Sequence, residues 1–319
     1  MNPTVEGKTP PISLKPDKWG GIKKRIWEHR LFYVFLFPGL IWFFIFAYIP
    51  LYGLTLAFKD FNYGMGILGS PWAGLKYFHQ FFDFYQSKDI IRNTIVISLL
   101  KVIIAFPAPI IIAILINEVR VSWFKRTVQT IFYLPHFISW VVVVTLLHRL
   151  LTPQGGPING ILESLGAEPI FFMANMDWFY QLIVSSYVWK TFGWNSIIYL
   201  AAIAGIDQQL YDAAKIDGCG RMRQIWHITL PGIASITIIL FILESGTLMY
   251  AGYEQLLLMS NPATASIGTV LDTYVIKMGL EQGRLSYATA VGFFQSMIAL
   301  ILILTVNYLG KKYSQTSLF

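Results

Sequence analysis

The sequence contains little charge and a single cysteine. Asp, Glu, Lys and Arg make up 13% of its 319 residues, whereas about a quarter is usual in a soluble domain. Hydrophobic residues make up 55%. The core of a soluble protein of this length cannot bury that much apolar surface, so lipid is the expected solvent. Because Cys219 stands alone, an internal disulfide and a multi-cysteine metal site are both excluded.

Signatures of nucleotide and metal chemistry are also missing. The pattern G-x-x-x-x-G-K-[ST] does not occur, so we expect this chain to bind neither ATP nor another cofactor. The sequence GMGILG at 64–69 fits G-x-G-x-x-G, but no strand precedes it, and we interpret it as a flexible loop. The five histidines show no metal-ligand spacing and no catalytic group of residues stands out, so neither a metal site nor an enzyme is expected.

Six apolar runs are each long enough to cross a bilayer, which takes about 20 residues. They cover residues 31–57, 93–116, 128–150, 179–204, 232–258 and 286–310. The first run is too long for a signal peptide and lacks its cleavage site, so we expect a retained anchor. The sequence therefore predicts an all-α membrane protein with six transmembrane helices.

The basic residues indicate the orientation. The net charge is +7, but Lys and Arg flank the apolar runs as membrane topology requires, so a nucleic-acid partner is not expected. The side that holds both termini carries 15 of these residues and the opposite side 7, which predicts that both termini are cytoplasmic. The expected divisions are a tail at 1–30, a first transmembrane helix and outer interfacial loop at 31–92, a core at 93–310 and a tail at 311–319.

A charged segment, YDAAKIDGCGRMRQIWHITLP, interrupts the apolar sequence at 211–231, and the orientation places it in the cytoplasm. Residues 208–217 are mostly good helix formers, Gly218 breaks the run, and 221–229 suits a second helix. Pro231 opens the next apolar run, a position that proline tolerates. The segment is either a solvated turn or two short helices that bind a cytoplasmic partner. Its length and pattern favour the helices.

Seven residues of this segment follow a known pattern: Asp212, Ala213, Ala214, Gly218, Ile228, Leu230 and Pro231. Their spacing resembles the EAA loop of permease subunits of binding-protein-dependent ABC importers, with Asp212 where the family usually has Glu. The resemblance implies a coupling loop, here residues 207–231, that binds an ATPase subunit. Asp212 is expected to face a basic group of that subunit. Gly218 is expected to let the two helices approach closely, where a side chain would obstruct them.

Several short sequences outside the loop extend the resemblance over nearly the whole chain after about residue 25. Asn93-Thr94, Leu134-Pro135 and Gly160-Ile161-Leu162 are similar to the sugar-importer branch. The C-terminal pairs Asn261-Pro262 and Thr273-Tyr274, with the run YATAVG at 287–292, resemble the LplB-like permeases of complex oligosaccharide importers. The substrate implied is a carbohydrate, an oligosaccharide that is either neutral or acidic.

The resemblance also implies partners and a mechanism. We expect a second homologous permease, two ATPase subunits that bind ATP and Mg, and an extracellular or periplasmic substrate-binding protein, in a bacterial plasma membrane. When the ATPase subunits close on ATP, the loop moves inward and the spans switch from inward-open to outward-open. The aromatic outer segment 71–90 is expected to lie on the membrane interface, anchored by Trp72, Tyr77 and Phe81. Contact with the binding protein is the alternative role for this segment.

Three charged residues lie inside the apolar runs: Lys101, Lys190 and Glu244. Ionisable groups at such positions are functional candidates. Lys190 and Glu244 are expected near mid-depth, where they form either a structural ion pair or contacts with substrate. Candidates for the aromatic and polar surfaces of a sugar pathway are Tyr187, Trp189, Trp194, Asn195 and Tyr250. Ordinary helix packing explains many of these side chains equally well.

Other functional classes remain as alternatives. A permease for peptides or amino acids is the nearest one, and the resemblance to the sugar branch disfavours it. A secondary transporter often shows inverted repeats and glycine-broken helices, which the sequence does not clearly contain. A membrane enzyme would need a clustered catalytic constellation.

Overall fold

The computed structural model describes residues 27, 29–314 and 317–318. These residues form helices and no β-strand, which confirms the all-α class for this part of the chain. The predicted tail at 1–30 lies almost wholly outside the described residues, so its expected position stays a prediction.

The chain divides into two compact units, of which the first is Met1–Thr55. Its α-helix Arg30–Phe43 passes into a π-helix at Phe44–Tyr48 and then into the 3-10 helix Ile49–Phe58, which continues beyond the unit. Together these elements form a 29-residue apolar segment. The apolar run predicted at 31–57 is therefore helical.

The second unit, Leu56–Phe319, contains the remaining described helices. They are Gly66–Gly69, Lys76–Asp83, Ser87–Ala105, Pro107–Glu118, Ser122–Tyr133, Leu134–Phe137 (3-10), Trp140–Leu151, Pro157–Ser164, Phe172–Ala174 (3-10), Met176–Ala204, Gln208–Ile216, Arg221–Gln224, Ile225–Thr229 (π), Leu230–Gly232, Ala234–Ser245, Tyr253–Met259, Ala265–Gly268, Leu271–Ile276, Lys277–Glu281 (π) and Leu285–Ser314. Most are short, because the chain turns often between its long apolar helices.

Length and composition identify three helical segments of the described residues that can cross a membrane: Arg30–Phe58, Ser87–Glu118 and Leu285–Lys312. Two bent pairs also pass the same criteria if each is one span: Ser122–Phe137 with Trp140–Leu151, and Arg221–Gly232 with Ala234–Ser245. The helix Met176–Ala204 has 29 residues but is not in either group, because polar residues such as Lys190 and Asn195 interrupt its apolar sequence. These criteria thus give between three and five crossings.

The apolar run at 128–150 is not the straight helix that its composition suggests. Its two halves bend by 101° between Phe137 and Trp140. Pro135 lies in the last turn before the bend, and Ser139 begins the next helix by accepting a hydrogen bond from the backbone N–H of Val142 at 3.4 Å. A proline followed by a serine N-cap is enough to end one helix and start another.

The run at 232–258 is also broken. The helix Ala234–Ser245 ends before Gly246, and helix resumes only at Tyr253 after Gly252 adopts a φ of +90°. That backbone conformation is open to glycine and costly for other residues. The sequence analysis found no clear glycine-broken helix, and in this run it was wrong.

Three buried clusters hold the second unit together. One surrounds Ile97, Ile183 and Leu256, where the helices Ser87–Ala105 and Met176–Ala204 pack on the segment after Gly252. The second lies around Leu271 and Tyr287, and the third around Tyr199 and Ile233.

The helix Lys76–Asp83 differs from its prediction as an interfacial element. Phe81 is buried in the cluster with Leu271 and Tyr287, so its expected role as a membrane anchor was wrong. Tyr77 is half-buried and its hydroxyl donates to Asp60. Trp72 is 71% exposed, so an interfacial position remains a prediction for that residue. The helix is amphipathic because its apolar face packs on protein.

Candidate functional site

The charged segment predicted as a coupling loop forms two short helical elements. The first helix, Gln208–Ile216, begins where the Asp207 carboxylate accepts a hydrogen bond from the backbone N–H of Gln209 at 2.9 Å. It ends at Gly218, whose φ is +73°. The predicted helix, and the break at this glycine, are confirmed.

Two backbone hydrogen bonds close the end of this helix. Gly218 N donates to Lys215 O at 3.1 Å, and Cys219 N donates to Ala214 O at 2.8 Å. This pair of bonds is a Schellman motif, which satisfies the last carbonyl groups of a helix by using a left-handed residue. The break therefore needs no side chain from elsewhere.

The reason expected for glycine at position 218 was wrong. A Cβ atom built there meets no heavy atom within 4 Å, so a side chain would not obstruct the two helices. The positive φ is what favours glycine. Close approach occurs instead at Gly232, where a Cβ would lie 2.6 Å from the Ile206 side chain.

The second element follows without interruption through Arg221–Gln224, the π-helix Ile225–Thr229 and Leu230–Gly232, and then leads into the next apolar helix. The hydroxyls of Tyr211 and Thr229 are 2.9 Å apart and join the two elements. This contact holds the two elements of the segment together.

The residues of the predicted coupling pattern differ in exposure. Asp212, Ala213, Gly218 and Pro231 are exposed, whereas Ala214, Ile228 and Leu230 are half-buried. A hydrogen bond from Lys215, 2.9 Å away, lowers the pKa of Asp212. The expected basic partner of this carboxylate is therefore within the same helix in the isolated chain. An exposed pair of this kind is weak and can exchange for another partner.

Large apolar side chains around the pattern are also exposed, and the sequence analysis did not single them out. They are Leu210, Ile216, Met222 and Trp226, with exposed fractions between 52% and 88%. An exposed apolar surface on a charged segment is typical of a docking surface. The sequence feature that could have identified these four residues is their position between charged residues.

Lys190 lies at the first helix break. Its Nζ donates to His136 O at 2.8 Å, to Pro135 O at 3.4 Å and to Ile138 O. The ammonium also lies 5.6 Å from the centroid of the Trp140 ring. Lys190 therefore supplies donors to the carbonyl groups of His136 and Ile138 at the bend, and it shares Pro135 O with the backbone N–H of Ile138.

Lys101 lies at the second break and has the same function there. Its Nζ donates to Ala251 O at 2.6 Å and to Gln255 Oε1 at 2.7 Å, and it lies 4.5 Å from the centroid of the Tyr187 ring. Both Ala251 and Gln255 are buried. Neither of these partners of Lys101 was predicted, because a backbone carbonyl at a helix end has no mark in the sequence.

The predicted pair of Lys190 with Glu244 is not formed. Within 4.0 Å, the ion pairs of the described residues join Lys76 to Asp60, Lys215 to Asp212 and Arg221 to Glu118. Lys190 instead has carbonyl partners. Counting residues along two helices does not give the directions in which their side chains point.

Glu244 lines a cavity of about 220 Å³. Tyr187, Asn195, Tyr199 and Thr247 line the same cavity, so three of the predicted pathway residues, Tyr187, Asn195 and Glu244, come together. No hydrogen bond to the Glu244 carboxylate occurs among the described residues, although its backbone O accepts one from Thr247 N. The cavity thus offers a carboxylate, two phenols, an amide and a hydroxyl, which are groups that bind sugar hydroxyls.

The remaining predicted pathway residues lie elsewhere. Trp189 lines a separate, apolar pocket of about 340 Å³ with Leu146 and Leu150. Trp194 stacks on His136 with ring centroids 4.6 Å apart. The Tyr250 hydroxyl is 3.1 Å from Ser296 Oγ.

Further polar residues support the second break and were not predicted from the sequence. Gln295 Nε2 donates to Met249 O at 2.7 Å and also to Asp272, whose second carboxylate oxygen accepts from Gly252 N at 3.1 Å. Gln255 connects this group to the long helix by donating to Ile183 O at 2.8 Å. A buried glutamine in an otherwise apolar run was the only signal available.

Among the described residues, no group of three or more His, Cys, Asp or Glu side chains is arranged to hold a metal ion.

A close helix contact was also missed. A Cβ on Gly193 would overlap the backbone carbonyl of Phe132, so the long helix touches the helix before the first break at this glycine. Small residues allow such approaches in membrane proteins. Lys190 lies one turn away, and the contact fixes its distance from the carbonyls that it binds.

The fold and these sites define a helical membrane component of a transport system. The sequence matches, over residues 105–315, the family described as "Binding-protein-dependent transport system inner membrane component", and the chain belongs to this family. The resemblance predicted from the coupling pattern is confirmed.

Several relatives are similar over most of the chain. It is 42% identical to "Polygalacturonan/rhamnogalacturonan transport system permease protein YteP" of Bacillus subtilis (strain 168), over 99% of each chain. It is 44% identical to "Protein LplB" of the same organism, over 96% of this chain and 93% of LplB. A chain in the crystal structure of a bacterial alginate ABC transporter, in complex with alginate pentasaccharide-bound periplasmic protein, superimposes with a TM-score of 0.85 at 36% identity. That match covers 92% of this chain and 99% of the other.

Proposed function

We propose that this chain is the permease subunit of an ATP-driven importer that carries oligosaccharide into the cytoplasm. The observation that carries the proposal is the 42% identity, over 99% of each chain, to a polygalacturonan/rhamnogalacturonan transport permease. The likeness to the alginate transporter chain supports the same substrate class. The chain itself is not an enzyme in this proposal, because separate ATPase subunits bind ATP and Mg and hydrolyse the nucleotide.

The proposed arrangement has six membrane spans with both termini in the cytoplasm. Three long apolar helices and two bent pairs supply five spans. The helix Met176–Ala204 supplies the sixth, since its 29 residues exceed the length that a bilayer needs. One face of this helix, which includes Lys190, Gly193 and Ser196, is buried against other helices. The core at 93–310 and the tails at 1–30 and 311–319 follow from this topology.

The coupling loop at 207–231 is proposed to dock in a cleft of an ATPase subunit. Its exposed apolar side chains, led by Ile216 and Trp226, would bury their surface there. Asp212 would exchange Lys215 for a basic group of the ATPase. A second permease provides the other half of the pathway, and a second ATPase binds that permease. Closure of the two ATPases then switches the pathway from inward-open to outward-open.

The pathway in this chain is proposed to run past the cavity of Tyr187, Asn195 and Glu244. Lys101 and Lys190 are occupied by carbonyls, so they support the helix breaks and are not free to select acidic sugars. Trp189, Trp194 and Tyr250 are between 40% and 47% exposed and remain candidates for contact with sugar or with the second permease. A binding protein on the outer side supplies the substrate.

Reconstitution tests this function. The chain is co-expressed with its partner permease, ATPase and binding protein, and uptake is measured into proteoliposomes that enclose ATP. We expect ATP-dependent uptake of rhamnogalacturonan, oligogalacturonate or alginate oligosaccharides and no uptake of oligopeptides. Uptake of peptides alone, or sugar uptake that follows an ion gradient without ATP, would refute the proposal.

A further inference from the structure

A groove of about 780 Å³, lined by both apolar and polar side chains, lies apart from the coupling loop and from the cavity at Glu244. Three stretches of chain line it, within residues 84–93, 256–269 and 273–282. The proposed topology places all three at the outer side. The volume falls in the range of about 300–1,000 Å³ that is usual for small-molecule sites. Nothing in the coupling mechanism uses this groove.

The groove presents several polar side chains that have no partner among the described residues. They are Gln86, Asp89, Lys277, Glu281 and Gln282. An unpaired polar group at the edge of a groove is satisfied by water or by a ligand with hydroxyl groups. The set mixes donors and acceptors, as recognition of a polyhydroxylated molecule requires.

Asn93 adds a buried and oriented acceptor. It is 4% exposed, and its Nδ2 donates to Ser266 O at 2.8 Å and to Thr269 O at 3.2 Å. Both amide hydrogens are thereby used, while Oδ1 accepts no hydrogen bond from the described residues. Asn93 lines the groove, so the free acceptor capacity of Oδ1 belongs to a side chain at its wall.

One partly exposed aromatic ring, that of Phe84, lies beside these polar groups and packs on the buried Tyr274. The rings of Phe84 and Tyr274 stack with centroids 5.9 Å apart and an interplanar angle of 21°, and both residues line the groove. Apolar faces of sugar rings pack on aromatic side chains, while their hydroxyls bind amides and carboxylates. The groove combines the two kinds of surface.

We propose that this groove is an outer saccharide-binding site, a second contact for an oligosaccharide that is about to enter the pathway. The inference rests on the proposed function for its ligand class. Two carboxylates, Asp89 and Glu281, against one ammonium, Lys277, favour an uncharged ring over a uronate. Asn93 precedes the cavity residue Ala105 on one continuing helix by about 18 Å at 1.5 Å per residue, so the groove lies upstream of that cavity.

The single cysteine makes a direct test practicable. In a Cys219→Ser background, Gln282→Cys places a thiol at the groove, and Ser164→Cys places one on an exposed outer helix as control. The complete transporter in lipid vesicles is labelled with a membrane-impermeant maleimide. The probes are a rhamnogalacturonan tetrasaccharide, which alternates neutral and acidic rings, and tetragalacturonate, which has acidic rings only.

We expect the rhamnogalacturonan probe to slow labelling at position 282 and not at 164, and tetragalacturonate to need a higher concentration. Asp89→Ala should raise the half-protecting concentration roughly fivefold, as the loss of one hydrogen bond does. The matched control Lys88→Ala, an exposed neighbour outside the groove lining, should leave it unchanged.

Three outcomes overturn the site: no protection by either sugar, protection by the binding protein without sugar, or failure of the maleimide to reach position 282. A half-protecting concentration that is the same in the Asp89→Ala variant as in the unchanged protein also contradicts the proposed site. Uptake is measured in the same vesicles. Protection without ATP-dependent uptake would refute the proposed function and leave the site intact, whereas uptake without protection would do the reverse.

Discussion

Two helix breaks of this chain rely on the same kind of residue and are stabilised in different ways. Gly218 in the coupling loop and Gly252 in an apolar run both have a positive φ, of +73° and +90°. The loop closes its break with its own backbone hydrogen bonds. The apolar run uses Lys101, Gln295 and Asp272, all from other parts of the chain.

The solvent explains this difference. At an exposed loop, water forms hydrogen bonds with any backbone group that is left unpaired, so a local motif suffices. In a bilayer an unpaired carbonyl costs several kcal/mol, so each broken helix must be supplied with donors by neighbouring helices. The first break follows the same rule, since Lys190 supplies donors to three carbonyl groups there. The intramembrane lysines are thus explained by broken helices before any substrate is considered.

The largest effect is expected from removal of a lysine at a break. Lys101→Met leaves Ala251 O and Gln255 Oε1 without donors, at a cost of about 1–3 kcal/mol each. We expect a clear loss of assembled complex and a lower Tm in detergent. Lys88→Met removes an exposed lysine from the same helix and should change neither quantity. An unchanged Tm for Lys101→Met would show that the break does not depend on this donor.

An intermediate effect separates the two glycines. Alanine at either position adopts a strained φ, at about 1–2 kcal/mol. At Gly252 its Cβ would also lie 3.2 Å from Lys101 Nζ, whereas at Gly218 it would meet nothing within 4 Å. We therefore expect Gly252→Ala to lower Tm more than Gly218→Ala.

Asparagine sharpens this test because it tolerates the left-handed conformation better than alanine does. Gly218→Asn should restore most of the stability that Gly218→Ala loses. Gly252→Asn should restore little, because its larger side chain meets the buried lysine. Equal rescue at both positions would mean that φ alone determines the residue at each break.

The sequence predicted the local structure of the segment 207–231 better than that of the apolar core, and the physical reason is the range of the interactions. The helix 208–217 and its stop at Gly218 depend on neighbours within a few residues, so pattern and spacing located them. The partners of Lys101 and Lys190 are backbone carbonyls about 50 to 150 positions away along the chain, and every residue has a carbonyl. No side-chain pattern marks such an acceptor, which is why a pair with Glu244 was expected instead.

The outer region shows the same limit. The helix Lys76–Asp83 was correctly seen as amphipathic, but an apolar face that meets lipid and one that meets protein have the same sequence. Phe81 packs on Tyr274 with ring centroids 6.1 Å apart. Only the fold shows which surface it contacts.

The smallest effect on stability is expected at Asp212, which lies in the exposed segment around Gly218. Asp212→Asn removes the pair with Lys215, whose side chains are 61% and 58% exposed. Water screens such a pair, so we expect no measurable change in Tm. If the carboxylate exchanges Lys215 for a basic group of the ATPase, the variant should nevertheless bind the ATPase more weakly and show less substrate-stimulated ATP hydrolysis.

Lys215→Met is the matched control, because it breaks the same intrahelical pair but leaves the carboxylate free, and it should keep full coupling. Equal losses of ATP hydrolysis in both variants would assign the effect to the helix itself, and full coupling in Asp212→Asn would exclude the carboxylate from the contact with the ATPase.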